Sequence, residues 1–393
     1  MAFQLSPGVN VSEIDLTTIV PAVATSIGAF AGPFAWGPIG EITTISDEVR
    51  LADNFGNPDS TNYEYWFSAA NFLAYTSNLK IVRAVNITTT RNASANGGNN
   101  VVLIKNEDDW LDNYSTGNTA FGIAFARYAG AIGNTLRVSA SDANTHSTWI
   151  YSSLFTSAPG TSTYVSNKGG SLDEVHVIVV DEDGGFSNGV ANTVLEKFAF
   201  VSKASDAKFG DGATNYYVNV LNQRSRYVWW ASHVSGNSNW GTTAAGRTYD
   251  AANGMRNPHY RSLAGGADGT ITAGVINTAY SLFANPDVVD LSLIISGPGN
   301  ATVAGHLISN IAEVRKDCLV FLSPTKTSVV DNAGSETTSI IAYRDSLTSS
   351  SYSVMDSGYK YQFDKYNDVY RYVPLNGDIA GACARTDLER DPW

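Results

Sequence analysis

Several groupings of serine, aspartate, histidine and glycine could do chemistry, and each also has a structural explanation. Gly185-Phe186-Ser187-Asn188-Gly189 has the G-x-S-x-G form of a nucleophile elbow, in which a hydrolase presents its serine on a sharp strand-to-helix turn. An elbow needs the strand to run straight into the serine. Here Asp181-Glu182-Asp183-Gly184 intervenes, a composition suited to a hairpin turn. A serine hydrolase using Ser187 is the alternative function, and it requires His233, His259 or His306 beside that hydroxyl. Ser296-Gly297-Pro298-Gly299 lies between a strand and a helix, where phosphates bind helix N-termini. Thr302 stands at the third glycine position of a dinucleotide fingerprint, Pro298 removes a backbone donor, and no Walker lysine follows, so a plain strand-to-helix turn is expected.

Asp181, Asp183 and Gly184 begin like a calcium loop, but position 192 is Asn rather than the closing glutamate. The histidines at 146, 176, 233, 259 and 306 never pair at metal-ligand spacing. Cys318 and Cys383, each beside apolar residues, read as buried free thiols. The expectation is no catalytic residue, no metal and no cofactor. Tyr359 to Tyr372 interleaves aromatics with Lys360, Lys365 and Arg371, as single-strand binders do. Asp364 and Asp368 offset those cations within a chain of net charge −12, which argues against nucleic acid as a partner and for packed aromatics.

The elements that must position these groups are read from periodicity. Val9 to Ile14 alternates after a Pro-Gly turn, so residues 1–20 read as an extended arm. Gly32-Pro33-Phe34-Ala35-Trp36-Gly37-Pro38 is an aromatic turn, and Thr61 to Glu64 has capping-box spacing ahead of a helix that buries Tyr63, Trp66, Phe67, Ala70 and Leu73. Leu79 to Val85, Leu136 to Ala140, Val175 to Val180 and Thr193 to Leu195 read as strands. Val288 to Ile295, a helix facing inward with Ala304, Leu307, Ile308 and Ile311, and Cys318 to Leu322 form a β-α-β unit. Asn- and Gly-rich stretches at 86–100 and 235–269 mark boundaries.

These readings combine into a mixed α/β (α+β) multidomain chain: an arm at 1–20, a β-rich outer domain at 21–265, and an α/β domain at 266–393. Charged residues make up 16% of the chain, against about 25% in typical soluble domains, which leaves much neutral polar surface for contact. No apolar run reaches the roughly 18 residues of a membrane span, and the first basic residue is Arg50, so neither direct membrane insertion nor a signal peptide is expected.

With these residues in view, the chain resembles the contractile tail sheath proteins of myovirus-type bacteriophages. The likeness lies in Leu5-Ser6-Pro7-Gly8-Val9, Phe34 to Pro38, Asn54-Phe55-Gly56, Ser68 to Leu73 and Val82 to Val85. It is strongest at the end, through Lys360, Tyr361, Asp364, Lys365, Tyr366, Asn367, Asp368, Arg371, Pro374, Ala384, Arg385 and Asp387. The resemblance implies a non-enzymatic virion subunit, assembled in the host cytoplasm, that stacks as six-membered rings around a tail tube. Contraction of the helical stack drives the tube through the host envelope for genome ejection. It implies as partners further copies of the chain, the tube protein, and baseplate and tail terminator proteins. The arm, through Leu5, Pro7, Gly8, Val9, Val11 and Ile14, is expected to join a neighbour's sheet. Larger members carry an outward domain after Val85, reduced here to about 92–127, and continue past the position of Trp393, so a truncated or stable fragment is expected.

Overall fold

A computed structural model describes residues 26–95, 102–115, 123–231, 233, 239–249 and 258–390. The arm residues Leu5, Pro7, Gly8, Val9, Val11 and Ile14 lie outside the described residues. Along the chain, β1 (Gly28–Gly32) leads to β2 (Thr43–Ile45), α1 (Glu48–Phe55), α2 (Tyr63–Leu73) and β3 (Leu79–Arg83). Then come β4 (Ala124–Ala126), β5 (Leu136–Asp142), β6 (Glu174–Asp181), β7 (Thr193–Ser202), β8 (Val228–Trp230) and β9 (His259–Ser262). The last third holds β10 (Leu293–Ile295), α3 (Ala301–His306), which runs on through a π turn, β11 (Leu319–Leu322) and β12 (Ser353–Met355). The hairpin β13 (Tyr359–Asp364) and β14 (Val369–Pro374) and the helix α4 (Asn376–Arg390) follow.

The central sheet has the order β12-β11-β10-β1-β3-β2, parallel except for β2. Alternation along β1 explains why its residues are all buried. Ala29 and Ala31 face a core built with Ile276, Leu307 and Ile311, whereas Phe30 faces Trp66, Phe72 and Ala380 on the other side. A Cβ at Gly28 would land on the Phe72 ring, so that position needs glycine. The expected β-α-β unit is present as parallel β10 and β11 joined through α3, with Ala304, Leu307, Ile308 and Ile311 buried.

Between β3 and β10 is an inserted lobe, in which an antiparallel sheet of order β7-β6-β5-β9 and a β4–β8 pair enclose Val138, Val177, Tyr217 and Trp230. The chain enters and leaves it side by side, with Arg91 bridged to Ala267 and Ser94 to Ala264. The described part of 92–127 belongs to this lobe, where Trp110 stacks on Trp229 at 5.2 Å.

The expected boundary at 265 cuts through one sheet, because β1 to β3 pair with strands from the last third. Parallel pairing joins distant segments, and local periodicity carries no trace of it. The capping box also differs. Asn62 makes no side-chain cap, Asp59 accepts from the Thr61 and Asn62 N–H groups, and Glu64 accepts from the Tyr63 hydroxyl. Cys318 is buried, but Cys383 is exposed on the outer side of α4. Among the described residues no helix is long and apolar enough to cross a membrane.

Arg83 ends β3 inside the protein. Its Nε, Nη1 and Nη2 donate to the carbonyls of Phe34, Gly37 and Ala35 at 3.0, 3.1 and 3.0 Å, and burial pulls its pKa down to about 10. An ammonium cannot span three divergent carbonyls. Arg83→Lys should therefore cost about 2–4 kcal/mol of folding stability, with buried carbonyls left unpaired; urea denaturation checks this, and an unchanged midpoint contradicts it.

Candidate functional site

Ser187 sits in the β6–β7 loop, as its flanking residues predict. Its hydroxyl donates to Asp181 at 2.7 Å, and the same carboxylate accepts from the N–H groups of Gly184, Gly185, Phe186 and Ser187. The three histidines that a hydrolase would need have other surroundings. His233 pairs with the Tyr217 hydroxyl at 2.6 Å, His306 faces Ser281, and the backbone of His259 accepts from Ser139. His176 accepts from the Phe200 N–H through Nδ1, which leaves its Nε2 to donate to Ser157 O, and burial lowers its pKa. The β6–β7 loop docks the inserted lobe: Phe186 packs on Trp36 at 4.9 Å, and Asn57 donates to Asn188 at 2.5 Å.

In open α/β sheets, ligands bind beyond the carboxyl ends of the strands where the strand order reverses, here between β1 and β10. The Ser296 to Gly299 turn lies there, and the protein's own chain fills the space beside it. Asn376 Nδ2 donates to Gly297 O at 2.6 Å and to Ser323 Oγ at 2.9 Å, and a Cβ at Gly377 would meet Ser68 O. Asn376 and Gly377 escaped the sequence reading, and Gly381 enters it only within the resembling block Asp378 to Gly381. Their signal is the small-residue spacing Gly377, Ala380, Gly381, Ala384, which lets α4 lie close on α2.

The β13–β14 hairpin gathers most of the residues that carry the resemblance. Asp364 is fully buried and accepts from the N–H groups of Tyr366 and Asn367, from Asn367 Nδ2 and from Arg371 Nε, the last at 2.8 Å. Asn367 Nδ2 also donates to Pro58 O, and Arg371 lies over the Tyr63 ring. Tyr366 donates to Glu48 at 3.0 Å and packs edge-on against Trp66, and Lys365 pairs with the same glutamate at 3.1 Å. Lys360 donates to Asp378 at 2.7 Å. Asp368 turns the hairpin at φ +52°, a left-handed conformation that aspartate tolerates, and Pro374 pairs opposite Tyr359. Ala384 is buried, Arg385 covers Tyr75, and Asp387 accepts from Ser26. These residues fasten one face of the hairpin to α1, α2 and α4.

The other face corrects the expectation of packed aromatics. Tyr361, Phe363 and Tyr370 are 60%, 44% and 56% exposed. Tyr361 stacks on Tyr370, and tilted contacts join Tyr361 to Tyr372 and Phe363 to Tyr370, at centroid distances of 4.7–5.1 Å. Strand alternation sends every second residue outward, and here the outward set is aromatic. Among the described residues the hairpin pairs with no third strand, so both of its edges are open.

At the hairpin's base, Asp356 accepts from Ser323 Oγ at 2.6 Å and from the Gly358 N–H. Burial, with a smaller push from Asp378, raises its pKa to about 6. A free aspartate titrates near about 3.9, so the fold binds this proton more tightly than the unfolded chain does. The stability it contributes is present below about pH 4 and is lost as pH rises through about 6. Asp356→Asn should match the parent at pH 4 and exceed it by roughly 1–2 kcal/mol at pH 7.5, measured by urea denaturation at both pH values; a pH-independent difference contradicts this.

No family model matches the chain. It is 27% identical to the tail sheath protein of Enterobacteria phage T4 over 99% of this chain and 74% of that one. It is 25% identical to the tail sheath protein of Vibrio phage KVP40, again over 99% and 74%, and 23% identical to that of Salmonella phage ViI, over 98% and 70%. Sheath tail protein structures from Listeria innocua and Desulfitobacterium hafniense align at TM-scores of 0.47 and 0.45 with 10% and 12% identity. They cover 92% of this chain, which spans 56% and 59% of theirs. The resemblance read from the hairpin and the aromatic turn is thus to myovirus tail sheath proteins, over almost the whole chain.

Proposed function

We propose that this chain is a structural subunit of a contractile phage tail sheath. Copies stack as six-membered rings around a tail tube, and the stack contracts to drive the tube through the host envelope. The observation that carries this reading is the near full-length similarity to three tail sheath proteins from separate phages. In this reading the subunit is a virion component assembled in the host cytoplasm, and its partners are further copies, the tube protein, and baseplate and terminator proteins. No cofactor is needed, since the energy is held in the extended lattice.

The β13–β14 hairpin is the receiving site in this reading. A lone two-stranded hairpin is marginal, and it gains by pairing with a further strand. Its inner face is already fixed by Asp364, Arg371 and Tyr366, so a strand added at an open edge finds a rigid template. The N-terminal segment with Leu5, Pro7, Gly8, Val9, Val11 and Ile14 alternates as such a strand should, and strand addition is a recurring recognition mode.

Electron microscopy of the chain co-expressed with its tube protein tests the proposal. The full-length subunit, with any residues that follow Trp393 included, should form tubes with six-fold symmetry. Deletion of residues 1–20 should abolish tubes while leaving the unfolding free energy from urea denaturation within about 0.5 kcal/mol of the parent, because the segment reads in the sequence as an arm with no nearby hairpin partner. Normal tubes from the deletion variant contradict arm exchange, and the absence of ordered assemblies from the full-length subunit contradicts the sheath reading.

A further inference from the structure

His176 is fully buried on β6, and the register of the lobe's sheet changes at it. Val175 pairs with Val201 and Val177 with Phe198, so Ala199 and Phe200 of β7 stand opposite one residue. Such a bulge takes its extra residue out of the ladder, and the imidazole supplies the acceptor that the ladder does not: Nδ1 accepts from the Phe200 N–H at 3.1 Å. Phe200 holds φ +54°, a left-handed conformation that glycine usually provides in bulges and that a bulky residue adopts only under constraint. The ring is held on its other edge as well. Its Nε2 donates to Ser157 O at 3.0 Å, Phe155 stacks on it at 4.1 Å, and the Phe200 ring meets it edge-on at 4.6 Å.

A backbone carbonyl only accepts and a backbone N–H only donates, so these two bonds require the neutral ring with its proton on Nε2. A second proton has one place to go. On Nδ1 it faces the Phe200 N–H, donor against donor, whereas the Ser157 bond survives, so the whole conflict falls on β7. The groups around the ring do not relieve it. His146 meets it at 5.6 Å from the 146–148 turn, and Ser141 pairs opposite it on β5, next to Asp142, which is paired with Lys203 at 3.2 Å. On β6 itself Glu174 accepts from the Gly160 N–H, and on β7 Lys197 pairs opposite Ile178. Among the described residues no carboxylate forms an ion pair with His176 that would favour its charged form.

We propose that His176 is an acid-released latch on the inserted lobe: the neutral imidazole clamps the β7 bulge at Phe200, and the imidazolium lets the end of β7 open. The opening takes with it what that end holds, since Phe200 O accepts from Asn215 Nδ2 at 3.2 Å and the Ser202 N–H donates to Asn215 O at 2.8 Å. The central sheet has no part in it. The direction agrees with the surroundings: burial lowers the His176 pKa, His146 adds to that, and the Ser157 contact opposes it. A base that binds its proton less tightly in the fold than outside it stabilises the fold above its free pKa, about 6.5, and loses that contribution as pH falls through the folded value. The latch is therefore closed at neutral pH, and the inference stands independently of the sheath reading.

Hydrogen exchange on the whole chain, with each rate divided by the intrinsic rate at the same pH, tests the latch. Between about pH 7.5 and pH 5, protection at residues 200–203 and 215 should fall about fivefold while β1 and β10 keep theirs. His176→Asn places an acceptor near the Nδ1 position and cannot titrate, so it should keep these amides protected and make their protection independent of pH. His146→Gln should leave the response in place. Protection that does not change with pH in the parent overturns the proposal, as does an equal loss in His176→Asn, a response abolished by His146→Gln, or a loss spread over the central sheet. Should His176→Asn not fold, ¹⁵N-histidine spectra of the parent decide the matter. They should show the Nε2–H tautomer at pH 7.5 and protonation of Nδ1 over the same range in which protection falls; protonation without opening, or opening without protonation, overturns the latch.

Discussion

One guanidinium holds together the turn on which both lobes depend. Arg83 closes β3 and gathers the carbonyls of Phe34, Ala35 and Gly37, which fixes the turn that follows the neighbouring strand β1. That turn presents Trp36 to Phe186 of the inserted lobe, and just beyond it the Ile39 N–H donates to Lys105 O of the same lobe. Asp268, on the segment that returns from the lobe, acts electrostatically on Arg83, and Gly130 fits between the two where a Cβ would strike the Asp268 carboxylate. Burying a charge is unfavourable unless hydrogen bonds replace its hydration. Lysine offers one charged nitrogen, whereas arginine offers a planar fork that reaches three acceptors together. The position of the inserted lobe on the central sheet thus follows from a side chain whose sequence context, Ile81-Val82-Arg83-Ala84, reads only as a strand end.

What was legible in the sequence is what short-range pattern encodes. The Ala304 to Ile311 face, the parallel pair around it and the loop character of Ser187 all follow from spacing and from turn residues. The strand order did not follow, because β1 meets β10 across more than 260 residues and no local pattern records that pairing. The capping box failed because Asp59, outside the four-residue window, takes the Thr61 N–H that Glu64 would otherwise accept from, and Glu64 pairs with the Tyr63 hydroxyl instead. In the hairpin, the alternation of Tyr359 to Phe363 is plain in the sequence, but alternation alone does not say which set faces inward. Asp364 decides it: a buried carboxylate with its ligands Asn367 and Arg371 demands the inner face, and the intervening aromatics are left outside.

The hairpin joins two properties that usually exclude one another. Exposed strand edges invite indiscriminate pairing, and proteins commonly blunt them with charge, proline or a cover. Here the edges stay open among the described residues, and the protection is geometric. The hairpin is short, Asp368 turns it tightly, and its inner face is fixed to the core through Lys360, Asp364, Tyr366 and Arg371. A template held this firmly cannot shift its register to suit an arbitrary strand. A partner strand must match its fixed length and twist, and its own side chains must sit beside the stacked ring of Tyr361, Phe363, Tyr370 and Tyr372.

Once paired, such a strand is held mainly by backbone hydrogen bonds, which depend on the two backbones staying together and not on where the rest of either subunit points. A connection of that kind persists while the bodies on each side rotate and slide, provided the template does not flex. The closeness of α4 to α2 through Gly377 and Gly381 supplies that condition, because a side chain at either glycine would separate the helices and loosen the support beneath the hairpin. In the proposed strand exchange, rigidity under the hairpin is therefore the requirement on the receiving side. The described fold provides it through Asn376, Asp364 and the glycine contacts of α4.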